Sequence, residues 1–155
     1  MEFSVKEDVE GTQNEVFDAL GDLEAIERAA MRRGVEISRT DPPGGPGEGS
    51  TWAVRFRYRG RMRDAEITLT EYAPPQRMAC LAHSGGLDVR TVLDVVALSR
   101  TRTRIAADTV LMPRTLSARL LVQSLKLARS SITKRMKARS TEFARDLETR
   151  IRRAG

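Results

Sequence analysis

The chain has 155 residues, of which 40% are hydrophobic and 31% charged, as in typical water-soluble globular domains. No apolar stretch approaches the roughly 20 residues that span a bilayer, and no basic segment followed by an apolar run indicates a signal peptide. The single cysteine, Cys80, excludes an intramolecular disulfide and fits a reducing compartment. We therefore expect one cytoplasmic domain that covers residues 1–155.

The net charge of +6 is concentrated at the C-terminal end of the chain. Residues 114–155 carry 12 Lys+Arg against 3 Asp+Glu, a net charge of +9, whereas residues 1–113 carry 15 against 18, a net charge of −3. A nucleic-acid interface must therefore rest on this one segment, which lacks interleaved aromatic residues and a recognised binding motif. We expect no specific nucleic-acid partner. A peripheral contact of this segment with a membrane or a protein stays open as an alternative.

The first forty residues predict a strand, two short helices and a second strand. Apolar and charged residues alternate from Phe3 to Val9, which is typical of a strand with one buried face. Thr12 and Glu15 have the spacing of a capping box, and Asp22 is suited to cap a second helix. The predicted elements cover residues 3–9, 12–20, 23–31 and 35–40.

Five more strands are predicted after Asp41–Gly49, a loop rich in glycine and proline. The alternation is cleanest at the start, where four large side chains point one way: Trp52, Val54, Phe56 and Tyr58. Gly60, the Pro74–Pro75 pair and the Gly85–Gly86 pair predict short turns, and short turns between consecutive strands favour an antiparallel sheet. The five strands are expected over residues 52–59, 64–70, 77–83, 89–98 and 103–112.

A long helix is predicted to end the chain. No proline or glycine follows Pro113 until Gly155, and apolar residues recur at steps of three, four and seven. This spacing predicts one amphipathic helix over residues 115–152, roughly 55 Å long.

The apolar stripe of this helix is interrupted at Arg139 and Ser140. We therefore expect the helix to have two parts. Residues 121–136 should form a wall of the core or of a cavity, whereas the basic segment from Lys137 onward should serve something other than folding. Either the part around Arg139 and Ser140 overhangs the sheet, or these two residues offer polar groups to a ligand or a partner.

The order of these elements resembles the START-related helix-grip superfamily, also called SRPBCC, which includes polyketide cyclases and lipid-transfer domains. The resemblance covers almost the whole chain and rests on the element order and on three local segments: Thr12–Leu20 (TQNEVFDAL), Gly47–Trp52 (GEGSTW) and Tyr72–Arg77 (YAPPQR). It implies an α+β fold in which a curved, seven-stranded antiparallel sheet wraps around the long C-terminal helix. Two short helices would lie between strands 1 and 2, and an apolar cavity between sheet and helix.

The resemblance implies that this cavity binds a small hydrophobic or amphipathic ligand, such as a lipid, a quinone or a polyketide-like molecule. Taken singly, each large side chain on the third strand is more typical of core packing than of a ligand site. As polar groups for a ligand we expect the Trp52 indole N–H and the Tyr58 hydroxyl. The expected lining is Trp52, Val54, Phe56, Tyr58, Ile67, Leu69, Leu93, Leu121 and Leu125.

A cyclase, dehydrase or hydrolase that uses the same cavity stays open as an alternative, with Glu71, His83 and Tyr58 as catalytic candidates. Glu71 is expected to continue the inward face of the fourth strand, where burial would raise its pKa. His83 has no carboxylate close by in sequence, which favours a structural or exposed role. One histidine and one cysteine without further ligands at suitable spacing predict neither a metal site nor a cofactor. The sequence indicates no oligomeric state.

Overall fold

A computed structural model describes residues 1–40 and 47–155 of the chain. Most of the predicted Asp41–Gly49 loop therefore lies outside the described residues. The described residues form seven strands and four helices. In chain order they are β1 Glu2–Glu10, α1 Gln13–Leu20, α2 Leu23–Arg32, β2 Glu36–Arg39, β3 Thr51–Tyr58, β4 Arg61–Ala73, β5 Arg77–Ser84, β6 Leu87–Ala97, β7 Arg102–Pro113, α3 Leu116–Leu127 and α4 Arg129–Ala154.

The strands form one sheet in the order β1-β7-β6-β5-β4-β3-β2, and each neighbouring pair is antiparallel. The predicted fold class is therefore confirmed. Two tight hairpins lie at one end of the sheet, Arg59–Gly60 between β3 and β4 and Gly85–Gly86 between β5 and β6. All four hairpin residues have positive φ (51°, 75°, 53° and 79°), as two-residue turns that match the twist of the strands require.

The two short helices begin as the sequence predicts. Thr12 Oγ1 accepts a hydrogen bond from the backbone N–H of Glu15 (3.1 Å), and Glu15 Oε1 accepts one from the backbone N–H of Thr12 (2.9 Å). Asp22 Oδ1 accepts from the backbone N–H of Ala25 (3.2 Å) and so caps α2. These side chains satisfy N–H groups that have no partner inside the helix.

The two ends of the sheet differ in what covers them. At one end, where β1 finishes, α1 and the last turns of α4 pack on the sheet, and we call this the closed end. Its core combines strand residues such as Val9 and Ile105 with the helix residues Phe17, Leu147 and Ile151. At the other end lie the two hairpins and α3, and we call this the α3 end.

The C-terminal helix is present, but it is divided at Ala128, where φ is −100° and ψ is 13°. No glycine or proline marks this break, so local sequence does not explain it. The segments on either side are held by different partners. The guanidinium of Arg59 donates to Ser124 on α3 (3.0 Å), whereas Arg129 at the start of α4 donates to the carbonyl of Glu2 on β1 (2.7 Å). Different tertiary contacts therefore hold the two segments on either side of the interruption.

We predicted that residues 121–136 form a wall of the core or of a cavity and that the segment from Lys137 onward serves something other than folding. This prediction is wrong. The segment after Lys137 carries the core residues Ala144, Leu147 and Ile151, whereas most side chains between 126 and 139 are exposed. Ser140 is not available to a ligand as predicted, because its hydroxyl donates to the Glu7 carboxylate of β1 (2.8 Å). A periodicity count finds the apolar residues of a helix but does not say which turns of the helix touch the sheet.

Candidate ligand-binding site

One face of the sheet, here called the inner face, looks toward the helices. The strand register identifies it, because residues paired across an antiparallel sheet share a face. One such row crosses five strands, from Trp52 through Ile67, Ala82 and Val89 to Leu111. The row begins at the closed end on β3 and reaches the α3 end on β7.

The predicted lining residues of the sheet all lie on this inner face, but they are buried to different extents. Trp52, Val54 and Leu69 belong to the buried core cluster. Phe56, Ile67 and Leu93 are only partly buried and pack against that cluster. Tyr58, at the end of β3, is also partly buried. Burial thus decreases along β3 from the closed end toward the α3 end.

The two predicted lining residues on the helix, Leu121 and Leu125, are partly buried on α3. They lie on the same side of α3 as the buried residues Ala118 and Val122. None of the four belongs to the main core cluster in the described part of the chain. This side of α3 therefore faces the body of the protein without joining its main core.

A pocket of about 330 Å³ opens between α3 and the two hairpins. Leu121 and Ser124 line it from the helix, and Arg59, Arg63 and Gly85 line it from the hairpin side. Arg63 pairs with Phe56 in the sheet register and therefore projects from the inner face. The pocket thus lies beside the partly buried end of the inner face.

Both arginines that line this pocket place their guanidinium groups near the ring of Tyr58. The Arg59 Cζ atom lies 5.3 Å from the centre of the Tyr58 ring, and the Arg63 Cζ atom lies 5.7 Å from it. The Arg63 Nε–H also donates to the Tyr58 carbonyl (3.2 Å). These contacts hold two positive charges at the edge of an apolar surface.

Arg59 and Arg63 have no carboxylate within 4.0 Å among residues 1–40 and 47–155. Some arginines elsewhere on the sheet do have one: Arg55 contacts Asp64, and Arg104 contacts Asp8 through two hydrogen bonds of 2.7 and 3.2 Å. That bidentate contact holds the pKa of the Asp8 carboxyl below its usual value. Other arginines of the sheet, such as Arg57 and Arg90, also lack a carboxylate within 4.0 Å among these residues, so what distinguishes Arg59 and Arg63 is their position beside the pocket.

The Trp52 indole N–H is not free to bind a ligand as predicted. It donates to the Glu27 carboxylate of α2 (3.1 Å), so the contact joins α2 to the start of β3. No apolar pattern in the sequence indicates this pair, because the two residues are 25 positions apart and belong to different elements.

The predicted inward orientation of Glu71 is wrong. A β-bulge between Leu69 and Glu71 shifts the register, so Glu71 pairs with Ala79 instead of continuing the inward face. Its carboxylate instead accepts a hydrogen bond from Arg77 (3.1 Å), which also binds Asp94 (3.2 Å). One inserted residue is enough to move every later side chain of a strand to the other face.

His83 lies on the outer face at the α3 end, with half of its side chain exposed. Its Nδ1 atom shares a hydrogen bond with the Asp88 carboxylate, which also accepts one from Arg114 (3.0 Å). Together these two partners hold the pKa of Asp88 below its usual value. The signal for the pair was in the sequence, because a two-residue Gly85–Gly86 turn places residue 83 opposite residue 88.

The three catalytic candidates do not meet. Tyr58 is on the inner face at the α3 end, His83 is on the outer face at the same end, and Glu71 is near the opposite end of β4. Cys80 projects from the inner face, and burial raises the pKa of its thiol, which keeps it protonated at neutral pH. Within the described ranges, no three His, Cys, Asp or Glu side chains are grouped to bind a metal ion, and no helix is long and apolar enough to span a membrane.

Two polar contacts of the inner face were not predicted. Thr91 and Thr109 share a hydrogen bond between their hydroxyls (3.2 Å) near the middle of the face, and both are partly buried. Glu7 projects from the same face of β1 and accepts hydrogen bonds from Ser140 (2.8 Å) and Thr141 (3.0 Å) on α4. Together with the contact from Glu148 to the N–H of Glu10 (2.8 Å), these place α4 along the edge strand β1. The centre of the inner face is therefore not the surface that α4 contacts.

No known family model matches this chain, and no curated protein matches its sequence. Solved structures do match its fold. The Zhui aromatase/cyclase from Streptomyces sp. R1128 has a TM-score of 0.70 and 13% identity, over 100% of this chain and 98% of that one. Norcoclaurine synthase from Thalictrum flavum, solved with dopamine and hydroxybenzaldehyde, has a TM-score of 0.62 and 11% identity, over 86% and 83%. A START superfamily protein from Mycobacterium smegmatis has a TM-score of 0.57 and 11% identity, over 86% and 95%.

These matches confirm the predicted resemblance at the level of the fold. The chain has the helix-grip fold that START-related proteins and polyketide cyclases share. At 11 to 13% identity these similarities show the fold alone, and they do not indicate a ligand or an activity.

Proposed function

We propose that this chain binds a small amphipathic ligand on the inner face at the α3 end. The apolar part of the ligand contacts Phe56, Ile67 and Leu121, and an acidic head group meets Arg59 and Arg63. Of the predicted lining, the residues nearest the closed end, such as Trp52, serve the core rather than the ligand. The mechanism is reversible sequestration: burial of apolar surface provides most of the affinity, and the two arginines set the orientation.

One observation carries the proposal. Two arginines with no carboxylate within 4.0 Å among the described residues lie beside a pocket, at the end of the inner face that is partly buried. Each guanidinium makes one hydrogen bond to the protein, Arg59 to Ser124 and Arg63 to the Tyr58 carbonyl. Their remaining N–H groups are suited to bind a carboxylate or phosphate. The dopamine and hydroxybenzaldehyde bound to norcoclaurine synthase show that one protein of this fold accommodates small molecules with an apolar body and polar groups.

The test compares ligands that differ only in the head group. Decanoic acid and decanol share one apolar chain, so isothermal titration of both isolates the contribution of the acid. We expect the acid to bind at least tenfold more tightly, because a charge-assisted hydrogen bond contributes about 1.5–3 kcal/mol. Arg63→Gln should remove this preference and leave decanol binding nearly unchanged.

Arg55→Gln is the matched control, because Arg55 lies on β3 but on the outer face, 56% exposed. It should keep the preference for the acid. A second readout uses the single cysteine: bound decanoic acid should slow alkylation of Cys80, which projects from the inner face. The proposal is wrong if native mass spectrometry finds no bound species across acids and alcohols of 8 to 18 carbons and none of them protects Cys80.

The alternative of an enzyme stays a prediction that no contact in the described residues favours. The predicted single domain, the cytoplasmic location and the absence of a nucleic-acid partner also stay predictions.

A further inference from the structure

Helix α3 is apolar on two opposite sides. The side toward the protein carries Ala118 and Val122, which are almost fully buried. The side toward solvent carries Leu116, Leu120 and Leu127, which are 73%, 64% and 92% exposed. Steps of four and seven residues place these three leucines along one line of the helix, and we call them the exposed leucine stripe. Isolated exposed leucines are ordinary, but three aligned on one helix form an apolar surface that lacks a partner here.

The surroundings of this stripe are strongly basic. No acidic residue occurs between Asp108 and Glu142, whereas eight Lys and Arg residues occur over positions 114–139. Of these eight, only Arg114 has a carboxylate within 4.0 Å in the described parts of the chain. Arg119 and Lys126 lie on α3 itself, on one flank of the stripe, and both are exposed. The surface therefore combines exposed leucines with unneutralised positive charge.

This combination selects among possible partners. A second copy of the chain would bring two acid-free, positively charged surfaces together, which like-charge repulsion opposes. A nucleic acid would satisfy the charge but not the leucines, and no aromatic residue occurs on α3 to stack with bases. An anionic bilayer satisfies both, because leucines insert at the boundary of the acyl chains while the cations meet the head groups.

We propose that α3 docks on an anionic membrane surface, with the exposed leucine stripe inserted and Arg119 and Lys126 at the level of the head groups. The pocket lies against the same helix, where Leu120 of the stripe and its neighbour Leu121 both line it. Docking therefore places the pocket next to the bilayer, from which an amphipathic ligand enters. The entry route rests on the proposed function, whereas the docking does not.

Flotation with lipid vesicles tests the docking. We expect the protein to bind vesicles of phosphatidylcholine with 30% phosphatidylglycerol and to bind pure phosphatidylcholine at least tenfold more weakly. Binding should also weaken between 50 and 300 mM salt, since the attraction of exposed charges is screened. The triple variant Leu116→Gln, Leu120→Gln, Leu127→Gln should lose at least tenfold in the vesicle partition coefficient while keeping its circular dichroism spectrum and Tm.

Two matched controls separate position from chemistry. Val96 and Leu98, 47% and 43% exposed near the β6–β7 turn at the closed end, are replaced by Gln and should leave vesicle binding unchanged. Arg119→Gln with Lys126→Gln should weaken binding more than Arg152→Gln with Arg153→Gln, which removes the same charge at the far end of α4. Titration of decanoic acid in vesicle-free buffer uses the double variant Leu116→Gln, Leu127→Gln, because Leu120 also lines the pocket. This variant should keep the wild-type affinity for the acid, so the two proposals fail independently.

Three results overturn the docking: equal binding to neutral and anionic vesicles, unchanged binding of the leucine variant, and no vesicle binding at all. In the third case, binding to nucleic acid or a dimer that the leucine variant breaks would identify the partner of the stripe instead.

Discussion

The closed end and the α3 end of the sheet are built from similar residues but are packed differently. At the closed end, Val9, Phe17 and Leu147 are at most 1% exposed, and strands and helices share one continuous core. At the α3 end, the inner-face residues Phe56 and Tyr58 are only partly covered, and the helix above them belongs to no such core. Stability therefore rests mainly on the closed end, whereas the α3 end is where we propose that the ligand binds.

The two segments of the C-terminal helix are divided between these two ends in the same way. Helix α4 anchors the closed end through its last three turns. Helix α3 packs on the protein through Ala118 and Val122, outside the main core cluster of the described residues, and is also held by polar contacts at the hairpins. Arg59 binds Ser124 (3.0 Å), and the backbone N–H of Arg114 binds the carbonyl of Gly86 (2.7 Å). Polar contacts at a surface open more easily than a packed core, so we expect α3 to be the more mobile helix.

Removal of residues 140–155 should have the largest effect. It deletes the core residues Ala144, Leu147 and Ile151, so we expect loss of the folded state. Removal of residues 152–155 is the control, because these residues are exposed, and it should change the Tm little. Circular dichroism and thermal melting measure both. A folded, cooperative 1–139 fragment would show that the closed end does not depend on α4.

Leucine-to-alanine substitutions at the two ends should differ in their cost. Leu147→Ala should lower the free energy of unfolding by about 3–4 kcal/mol, because it opens a cavity in a fully buried site. Leu121→Ala, on partly buried α3, should lower it by about 1 kcal/mol or less. Urea denaturation measures both values. Equal costs would mean that α3 is as much part of the core as α4.

Lowering the pH should weaken the contact between Asp88 and Arg114, which lies just before α3. The folded-state pKa of Asp88 lies below the usual 3.8, because His83 and Arg114 stabilise the carboxylate. Ionised Asp88 therefore stabilises the fold above about pH 4, and this contribution disappears as the pH falls through the lowered pKa. Asp88→Asn should be less stable than wild type at pH 6, and the difference should shrink as the pH falls below 3.8. Thermal melts across this range measure the difference, and a gap that stays constant as the pH falls would contradict the assignment.

Arg59→Asn should have the smallest effect on stability. Arg59 has a φ of 51°, a left-handed conformation that asparagine adopts more easily than arginine. We expect this relief to offset the lost contacts with Tyr58 and Ser124, so the free energy of unfolding should change by less than about 0.5 kcal/mol. Affinity for decanoic acid should nevertheless fall. A large loss of stability with unchanged acid binding would assign Arg59 to the fold instead.

Much of this fold could be predicted because its signals are local. The capping residues Thr12 and Asp22, the Gly85–Gly86 turn and the alternation along β3 each depend on a few neighbouring residues. Such local preferences agree with the final structure in most of the chain. The order of the elements then supplied the resemblance to the helix-grip superfamily, which the structural matches confirm for the fold.

The predictions that the structure contradicts share one cause, because each depends on contacts between residues that are distant in sequence. On either side of the break at Ala128 the segments are held by partners on β1 and on the β3–β4 hairpin, and no residue at the break indicates it. The bulge before Glu71 and the bond from Trp52 to Glu27 also join elements that are separate in sequence. The arginines at the pocket were overlooked because alternation alone cannot show which charges lack a partner.

Methyl NMR during a titration with decanoic acid tests the central claim most directly. If the ligand binds the inner face at the α3 end, methyl signals of Ile67, Val89, Leu111, Leu121 and Leu125 should shift as ligand is added. Signals of Val9, Val95, Ile105 and Leu147 at the closed end should stay in place. Shifts confined to the closed end, or no shifts with any acid of the series, would contradict the account.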